Sequence, residues 1–217
     1  IMSRYLDGIM IRTFAQKTVE DLAAHADIPV INGLTDLLHP CQILSDLFTI
    51  MEKKGDYRGL KIAYIGDGNN IANSWINAAS RLPLKLALAC PEGYEPDSEL
   101  LARGRNETRE GIYLCRDPEE AVEKADVVYT DVWASMGQEA EREHRSRVFK
   151  TYQVNENLLS YAQEDYIVMH CLPAHRGEEI TSGVIDGPHS VVLDQAENRL
   201  HVQKAILETL MKEEKKS

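Results

Sequence analysis

The chain has 217 residues, of which 43% are hydrophobic, and its 24 Lys and Arg against 35 Asp and Glu give a formal charge of −11. This length and apolar content support one large domain, or a domain plus part of another, and exclude wholesale disorder. So acidic a surface repels phosphate backbones, and no basic stripe is visible in the sequence. We therefore expect no nucleic-acid partner.

The cysteine pattern and the hydropathy of the chain indicate the cellular compartment in which we expect the protein. The four cysteines form no CxxC pair, which is typical of reduced thiols in a cytosol-like compartment. No apolar run approaches the roughly 20 residues that a membrane-spanning helix needs, and no basic-then-apolar leader opens the chain. We expect a cytoplasmic protein without a membrane partner.

The first part of the chain is predicted to contain two short strands around a helix. These elements are 8–13, 18–25 and 28–32. A clearer helix follows Pro40, a residue that helix starts tolerate, with apolar positions at helical spacing over 44–51. The polar break at 55–59 is the best candidate for a domain boundary.

From residue 60 onward, strands alternate with helices. The predicted strands are 61–65, 84–89, 112–114, 126–130, 166–169 and 190–193. The predicted helices are 71–81, 97–106, 118–125 and 196–212. The last of these carries a stripe of apolar residues and one threonine, namely Val202, Ala205, Ile206, Thr209 and Leu210. This alternation predicts an α/β fold, a parallel sheet with helices on both faces.

Ligands of such sheets bind beyond the carboxyl ends of the strands, where this sequence places polar residues. The turn 66–70 (Gly-Asp-Gly-Asn-Asn) feeds a helix start, whose free N–H groups suit a carboxylate or a phosphate. An ordinary turn with an Asn cap is an equal alternative, and Ile71 replaces the third glycine of a dinucleotide turn. Asp131 directly follows a predicted strand and is placed to hold an ammonium group, although a loop start is the commoner explanation.

At two further places in the chain, a histidine and a cysteine lie next to each other or two positions apart. His170 and Cys171 are neighbours on a predicted strand, so they face opposite sides and form no nucleophilic dyad. A buried cysteine is usually an inert hydrophobe, whereas one in a polar strand-end site has a perturbed thiol. His39 and Cys41 lack a spaced tetrahedral ligand set, which argues against zinc, and His39 alone suits a helix cap.

Taken together, five motifs resemble the successive signatures of ornithine carbamoyltransferases, over essentially the whole chain. They are His39-Pro40-Cys41-Gln42, Gly66-Asp67-Gly68-Asn69-Asn70, Asp131-Val132-Trp133-Ala134-Ser135-Met136-Gly137, His170-Cys171-Leu172-Pro173 and Glu197-Asn198-Arg199. The first motif is shared with aspartate carbamoyltransferases and specifies only the carbamoyl phosphate half. The third and fourth motifs are more specific, and they select ornithine.

The resemblance implies a role for each matched residue. Those implied to bind carbamoyl phosphate are Arg12, His39, Pro40, Cys41, Gln42, Cys171, Leu172 and Arg199. Those implied to bind ornithine are Asn70, Asp131, Ser135 and Met136. The implied catalytic residues are Arg12 and His39, which would polarise the carbonyl oxygen, and Cys171, which would lie beside the reacting amine and help to select it or accept its proton.

The resemblance also implies a reaction and an assembly. The carbamoyl group of carbamoyl phosphate would pass to the side-chain amine of L-ornithine, giving L-citrulline and phosphate, a step of arginine metabolism and amino-acid biosynthesis. No metal or organic cofactor is expected, and the implied assembly is a homotrimer or a multiple of trimers. The expected division is 1–54 for the remnant of a second α/β domain, which binds carbamoyl phosphate, with its linking helix, 55–194 for the ornithine-binding domain, and 195–217 for a helix returning to the first domain.

One departure from the family pattern keeps alternatives open. The S-T-R-T-R phosphate loop of the family does not occur in this sequence, and residue 1 is Ile. We expect an N-terminally truncated chain that does not turn over substrates at an appreciable rate alone. The alternatives are a carbamoyltransferase for another amine, such as putrescine or an acylated ornithine, and a non-catalytic small-molecule-binding paralogue.

Overall fold

The computed structural model describes residues 1–134 and 141–212. Its strands, numbered β1 to β7 in chain order, are Ile9–Arg12, Val30–Leu34, Lys61–Ile65, Lys85–Ala89, Ile112–Cys115, Val127–Thr130 and Ile167–His170. Its α-helices, numbered α1 to α9, are Gln16–His25, Pro40–Lys54, Asn70–Arg81, Ser98–Glu107, Pro118–Val122, Arg142–Val148, Glu156–Leu159, Ser182–Ile185 and Val192–Met211. None of the helices in these ranges is long and apolar enough to cross a membrane.

Two parallel sheets organise the chain. Strands β1 and β2 pair in a small sheet, and the other five form a larger sheet in the order β5-β4-β3-β6-β7. The chain runs outward from β3 in one direction and then returns to continue from β3 in the other. This reversal between β3 and β6 is the topological switch point at which ligands of open α/β sheets bind.

The larger sheet is buried on both faces, as its nearly continuous apolar strands require. On one face, Tyr129 of β6 stacks on Tyr64 of β3 at a ring distance of 6.0 Å and meets the edge of Trp75 at 5.8 Å. On the other face, Phe149 packs between Trp133 and Tyr94, with ring centres 5.9 Å and 4.8 Å away. These aromatic contacts hold the helices against the sheet and fix the strand ends that carry the polar residues.

Helices α2 and α9 pack against each other beside the larger sheet. Helix α2 starts at Pro40 and ends at Lys54, because the next residue, Gly55, has a φ of 80° that suits glycine and stops the helix. The face of α9 that is buried here consists of Val192, Gln195 and Asn198. Two of these three residues are amides, so polar contacts join the two helices as well as apolar ones.

The α/β fold with a parallel sheet covered on both faces is confirmed, and one element prediction is wrong. Residues 190–193 are not a strand, because Ser190 makes only an isolated bridge to Val168 and α9 begins at Val192. The two β-branched valines favoured a strand, but the amide of Gln195 already donates to the carbonyl of Val191. Along the predicted stripe of α9, Val202 and Ile206 are half-buried, whereas Ala205, Thr209 and Leu210 are exposed.

Candidate functional site

A cleft of about 520 Å³ opens where the carboxyl ends of β3, β6 and β7 face β1, β2 and the start of α2. The residues that line it are Arg12, Thr13, Phe14, Leu34, Asp36, His39, Gln42, Asn70, Ile71, Asp131, Val132, Cys171, Leu172, Pro173 and Arg199. Eight residues nominated from the sequence are among them. The cleft therefore gathers side chains from positions as far apart as 12 and 199.

The turn after β3 builds one wall of the cleft. A Cβ atom at Gly68 would lie 2.2 Å from the backbone carbon of Glu95, so only glycine fits there. The side-chain oxygen of Asn69 caps α3 by accepting the N–H groups of Ile71 and Ala72. Its amide nitrogen is left to donate to Oδ2 of Asp131 at 2.7 Å, which ties this turn to the end of β6.

Asp131 is held from several sides. Its Oδ1 accepts the N–H of Val132 at 2.8 Å and the thiol of Cys171 at 3.0 Å, while its Oδ2 accepts from Asn69. The residue is only 7% exposed, and it lines the cleft. An anion fixed by donors in this way keeps its position before any ligand arrives, and it offers negative charge to a cationic group.

Cys171 lies in direct contact with Asp131, a pairing that the sequence did not predict. Burial, and then the neighbouring Asp131 carboxylate, raise the pKa of the Cys171 thiol well above its usual range. The group is therefore a protonated thiol that donates a hydrogen bond to Asp131, and it is not a thiolate nucleophile. His170 forms no dyad with Cys171, because both of its ring nitrogens make other hydrogen bonds.

A buried pair fixes the loop after β7. His170 and Glu179 are both fully buried, and Nδ1 of His170 accepts the N–H of Leu172 at 2.9 Å. Its Nε2 therefore carries the ring proton and donates to Oε1 of Glu179 at 3.0 Å. The bond to Leu172 holds that residue at a φ of +56°, in the left-handed region that leucine rarely adopts. The pair thus sets the path of the backbone beside Cys171.

His39 begins α2 at the opposite wall. Its backbone N–H donates to Oγ of Ser74 at 2.7 Å, and its buried Nδ1 has no hydrogen-bond partner among the residues that the structure describes. Burial first, and then the charges of Arg199 and Arg12, lower the pKa of His39 to about 4. The imidazole is therefore neutral near pH 7, with a ring nitrogen available to a ligand.

Arg199 of α9 and Gln42 of α2 are joined beside His39. Nη1 of Arg199 donates to Oε1 of Gln42, while Nε2 of Gln42 donates to Oδ1 of Asp46 at 2.8 Å. Arg12 lines the same part of the cleft from the exposed end of β1. The two guanidinium groups thus give this wall positive charge beside a neutral histidine, although the whole chain is acidic.

Asn70 connects the two walls. Its Nδ2 donates to the carbonyl of Thr35, in the loop after β2, at 2.8 Å. Its own carbonyl accepts Oγ of Ser74, which in turn receives the N–H of His39. The first residue of α3 therefore helps to place both the β2 loop and the start of α2 at the cleft.

Four nominated residues are not among those that line the cleft. Pro40 occupies the first turn of α2, and Cys41 turns away, since its thiol donates to the carbonyl of Asn32 at 3.4 Å. Cys41 instead lines a neighbouring cavity of about 290 Å³, formed by side chains of β1, β2 and α9 that include Arg12 and Arg199, which line both cavities. Ser135 and Met136 lie outside the described residues.

The cleft also contains residues that the sequence reasoning missed. They are Thr13, Phe14, Leu34, Asp36, Ile71, Val132 and Pro173. Most of them are direct neighbours of a nominated residue in the chain, and that adjacency was the available signal. Asn69 was also not predicted as a site residue, although it lies in the turn 66–70. Its contact with Asp131 depends on β3 and β6, two strands that are far apart in sequence.

Two groups of three side chains have donor atoms close enough for a metal ion in the described ranges. The first is Asp131, His170 and Cys171, and the second is His175, Glu178 and Glu179. In the first group, both ring nitrogens of His170 already make hydrogen bonds, and the thiol of Cys171 donates to Asp131. In the second, Glu179 accepts from His170. The geometry therefore fits a hydrogen-bonded network better than a coordination shell.

Sequence comparison identifies a family for both parts of the chain. Residues 58–210 match the family described as aspartate/ornithine carbamoyltransferase, Asp/Orn binding domain. Residues 1–52 match the family described as aspartate/ornithine carbamoyltransferase, carbamoyl-P binding domain. The two matches meet at the polar break before β3, so the cleft lies between the matched segments.

Similar proteins include several ornithine carbamoyltransferases. The ornithine carbamoyltransferase of Syntrophus aciditrophicus is 75% identical over 97% of this chain and 70% of its own length. The structure of ornithine carbamoyltransferase from Pyrococcus furiosus superposes with a TM-score of 0.93 at 55% identity, covering 97% of this chain and 68% of that one. For ornithine carbamoyltransferase from Thermus thermophilus the TM-score is 0.87 at 45% identity, covering 97% and 69%.

Proposed function

The chain belongs to the aspartate/ornithine carbamoyltransferase family, and we propose that its cleft transfers the carbamoyl group of carbamoyl phosphate to the side-chain amine of L-ornithine. Relatives up to 75% identical bear the name of the ornithine enzyme. The observation that carries the proposal is the placement of the Asp131 and Cys171 pair opposite His39 and Arg199 in one cleft. One wall suits a cationic amino acid, and the other suits an anionic phosphate.

The carbamoyl phosphate side depends on charge and on one neutral donor. Arg12 and Arg199 attract the phosphate, and His39, which lines the same cleft, would turn its other ring nitrogen, Nε2, toward the carbamoyl group. Because His39 is neutral, one of its nitrogens donates while the other accepts. A donor and a guanidinium at the carbonyl oxygen stabilise the oxyanion that forms during attack. Gln42 and the backbone beside Leu172 complete the grip on the carbamoyl amide.

The ornithine side depends on a fixed carboxylate. Asp131 matches the α-ammonium group, and Asn70 matches the α-carboxylate through its amide. Ser135 and Met136 are proposed to share this contact, as the resemblance implies. The thiol of Cys171 donates a hydrogen bond to Asp131, so the lone pairs of its sulfur are free to accept a hydrogen bond from the reacting amine. That bond would aim the amine at the carbamoyl carbon.

The reaction balances without a cofactor. The neutral side-chain amine attacks the carbamoyl carbon, forming a C–N bond and a tetrahedral oxyanion. The C–O bond to phosphate then breaks, and the electron pair leaves with the phosphate. The extra proton on the new C–N nitrogen passes to an oxygen of the departing phosphate, which is the nearest base. Citrulline and phosphate result.

The test is substrate choice by the full-length protein. We expect citrulline formation from ornithine, and far slower carbamoylation of putrescine and of Nα-acetylornithine. Putrescine lacks the α-carboxylate, and the acetyl group removes the α-ammonium charge that Asp131 would pair with. Equal use of putrescine would favour another amine as the substrate. Absence of any carbamoyl transfer would favour a binding paralogue.

We further propose a division of labour along the chain. Residues 1–54 would serve the carbamoyl phosphate side, 55–194 the ornithine side, and 195–217 a helix that returns to the first part. The contact of Arg199 with Gln42 supports this last assignment, since it joins the closing helix to α2. Limited proteolysis near residues 55–59 would test the boundary.

Assembly and compartment are also proposals. The family resemblance implies a homotrimer or a multiple of trimers, which sedimentation velocity would test. All four cysteines are unpaired thiols, which supports a reducing, cytoplasm-like compartment. We propose that citrulline formation by this protein serves arginine metabolism.

A further inference from the structure

Asp46 is a fully buried carboxylate one turn beyond Gln42 on α2. Its Oδ1 accepts Nε2 of Gln42 and Nε2 of Gln195, each at 2.8 Å, and its Oδ2 accepts the hydroxyl of Tyr129 at 2.9 Å. Its relative exposure is 0%, and it is not among the residues that line the cleft. The residue thus makes no contact with the proposed ligand space, although it touches a residue that does.

A buried carboxylate held only by neutral donors is costly to the fold. Taking the charge out of water is unfavourable unless specific partners compensate, and an apolar side chain would avoid the cost. The nearest opposite charge is Arg199, which reaches Asp46 through Gln42 rather than directly. A position with this cost and no cleft contact suggests that the charge serves the site.

The charge of Asp46, together with the guanidinium of Arg199, determines which way the amide of Gln42 faces. A glutamine amide has a donor end and an acceptor end, and swapping them costs little unless neighbours discriminate. Asp46 accepts only, so it holds the nitrogen of Gln42 and leaves the oxygen toward Arg199 and the cleft. With the amide reversed, its NH2 group would face the guanidinium of Arg199 and repel it.

We propose that Asp46 is a positioning residue for carbamoyl phosphate, which fixes the amide of Gln42 so that its oxygen accepts from Arg199 and from the carbamoyl NH2 group. This inference rests on the proposed function, because it assigns Gln42 to the carbamoyl phosphate side. It adds a residue outside the cleft to the machinery of that side.

The same carboxylate reaches the two strands that carry the ornithine side. Tyr129 lies two residues before Asp131 on β6, and Gln195 accepts the backbone N–H of His170, next to Cys171, at 2.9 Å. Those strand ends are also fixed by the hydrogen bonds of the sheet. The side chain of Gln42, by contrast, has Asp46 as the acceptor of its amide nitrogen in the described part of the chain. A change at Asp46 should therefore act first on the carbamoyl phosphate side.

The first experiment measures binding and kinetics of Asp46→Asn in the full-length protein at pH 8.5. Wild-type citrulline formation is established first, so that its absence would count against the proposed function alone. We expect the Kd for carbamoyl phosphate to rise about tenfold, the lower range for a lost charge-assisted hydrogen bond. The KM for ornithine at saturating carbamoyl phosphate should change less than about threefold, within the range of indirect effects.

The second measurement is the pH dependence of the ratio between the Kd values of the variant and the wild type for carbamoyl phosphate. Burial raises the pKa of Asp46 to about 7, opposed by the hydrogen bonds and by Arg199; the other titratable groups facing it are Tyr129 and Cys171. Below its pKa, Asp46 is neutral and resembles the asparagine that replaces it. The ratio of variant to wild-type Kd should therefore be about ten at pH 8.5 and approach one near pH 6.

Thr49→Val is the matched control on the same helix. Thr49 is also fully buried and also bonded to α9, since its Oγ1 accepts from Asn198 at 3.0 Å, but it does not touch Gln42. We expect this variant to lower the melting temperature and leave the Kd for carbamoyl phosphate within twofold. Asp46→Asn should melt at or above the wild-type temperature at pH 8.5, because it removes a buried charge.

Two outcomes would overturn the inference. One is a Kd ratio that stays constant between pH 6 and pH 8.5, which would indicate a loss of packing rather than of a charge. The other is a joint fall of melting temperature and of both substrate affinities, as expected of a residue that only supports the fold. Either outcome would leave the proposed function standing, since wild-type activity is measured independently.

Discussion

The two walls of the cleft are prepared for their ligands in different ways. On the wall formed by β3, β6 and β7, the polar groups bind one another, as in the chain from Asn69 through Asp131 to Cys171. On the opposite wall, His39 keeps a buried ring nitrogen without a partner in the described ranges, and two arginines lie nearby. The first wall is fixed by contacts around a carboxylate, whereas the second holds Gln42 between Asp46 and Arg199 and adds the positive potential of two arginines, which suits an anion.

This difference has a physical reason. A strand end in a parallel sheet is held by backbone bonds on both sides, so a carboxylate there can be oriented to within a fraction of an ångström. A phosphate has its charge spread over several oxygens, so its binding depends more on the positive potential of the wall than on one exact donor position. We therefore expect changes on the first wall to act on specificity for the amine, and changes on the second to act on affinity for carbamoyl phosphate.

The largest effect is expected from Asp131→Asn, which breaks the first wall. The variant keeps the shape but loses the charge that receives the α-ammonium group, and it disturbs the contacts with Asn69 and Cys171. A lost charge-assisted contact is worth about 1.5–3 kcal/mol, or roughly tenfold to a hundredfold in kcat/KM for ornithine. The Kd for carbamoyl phosphate, measured by calorimetry, should stay within about twofold of wild type.

Asp126→Asn provides the control for that measurement. Asp126 precedes the same strand at its opposite end, where its Oδ2 accepts the N–H of Lys61 at 2.7 Å. This variant should alter stability without changing the kinetics for ornithine. If Asp131→Asn behaved like Asp126→Asn, then Asp131 would have no place in the ornithine side.

A smaller effect is expected from Arg199→Lys on the second wall. The charge is retained, but the planar fork that meets Gln42 and the cleft is lost. We expect the KM for carbamoyl phosphate to rise about tenfold, the effect of one charge-assisted contact, while the KM for ornithine stays nearly constant. Arg103→Lys, at an exposed arginine bonded to Asn77, is the control. A rise in the ornithine KM alone would contradict the separation of the two walls.

The sequence predicted the strands well, because their apolar runs are nearly continuous and their order alternates with helices. It also located the ends of β3, β6 and β7, where Asn70, Asp131 and Cys171 line the cleft. The position of each motif was enough to predict this location, because a residue that follows a buried strand must lie at the edge of the sheet. The error at 190–193 arose because two valines favour strands locally, whereas helix α9 forms through its packing on α2.

Contacts between distant segments could not be predicted in this way. Nothing in the sequence around residue 46 indicates that Asp46 would meet Gln195, which lies 149 positions away. Likewise, the role of Glu179 in setting the tautomer of His170 depends on a loop that folds back on β7. Such pairs follow from tertiary packing, and single-sequence periodicity contains no information about them.

A modest effect is expected from Cys171→Ser. The serine hydroxyl can still donate to Asp131, so the wall should keep its shape, while the bulk and polarisability of the sulfur beside the amine are lost. Turnover should fall by several-fold, or its pH optimum should shift, with an unchanged melting curve. Cys115→Ser is the control, since this thiol lies on β5, at the opposite edge of the sheet from β7. Wild-type kinetics in Cys171→Ser would show that Cys171 only fills space.

The smallest effect concerns the charge of His39, which we expect to make no contribution above pH 5. Its pKa is lowered to about 4, mainly by burial, so the second wall gains its positive charge from Arg12 and Arg199 alone. The ratio of wild-type to His39→Gln kcat/KM for carbamoyl phosphate should stay level between pH 8 and pH 5.5. A ratio that changed near pH 6.5, the usual pKa of histidine, would mean that His39 is charged in the free enzyme.

Stability gives an independent check on the same group. A histidine whose pKa is lower in the folded state than in the unfolded state binds fewer protons when folded, so its contribution is present above pH 6.5. That contribution is lost as the pH falls from 6.5 toward 4, where the unfolded chain gains a proton and the folded chain resists it. The unfolding free energy of the wild type should therefore fall more steeply over this interval than that of His39→Gln, as measured by urea unfolding at several pH values. Parallel slopes would contradict a neutral, buried His39, and the second wall would then owe part of its field to an imidazolium.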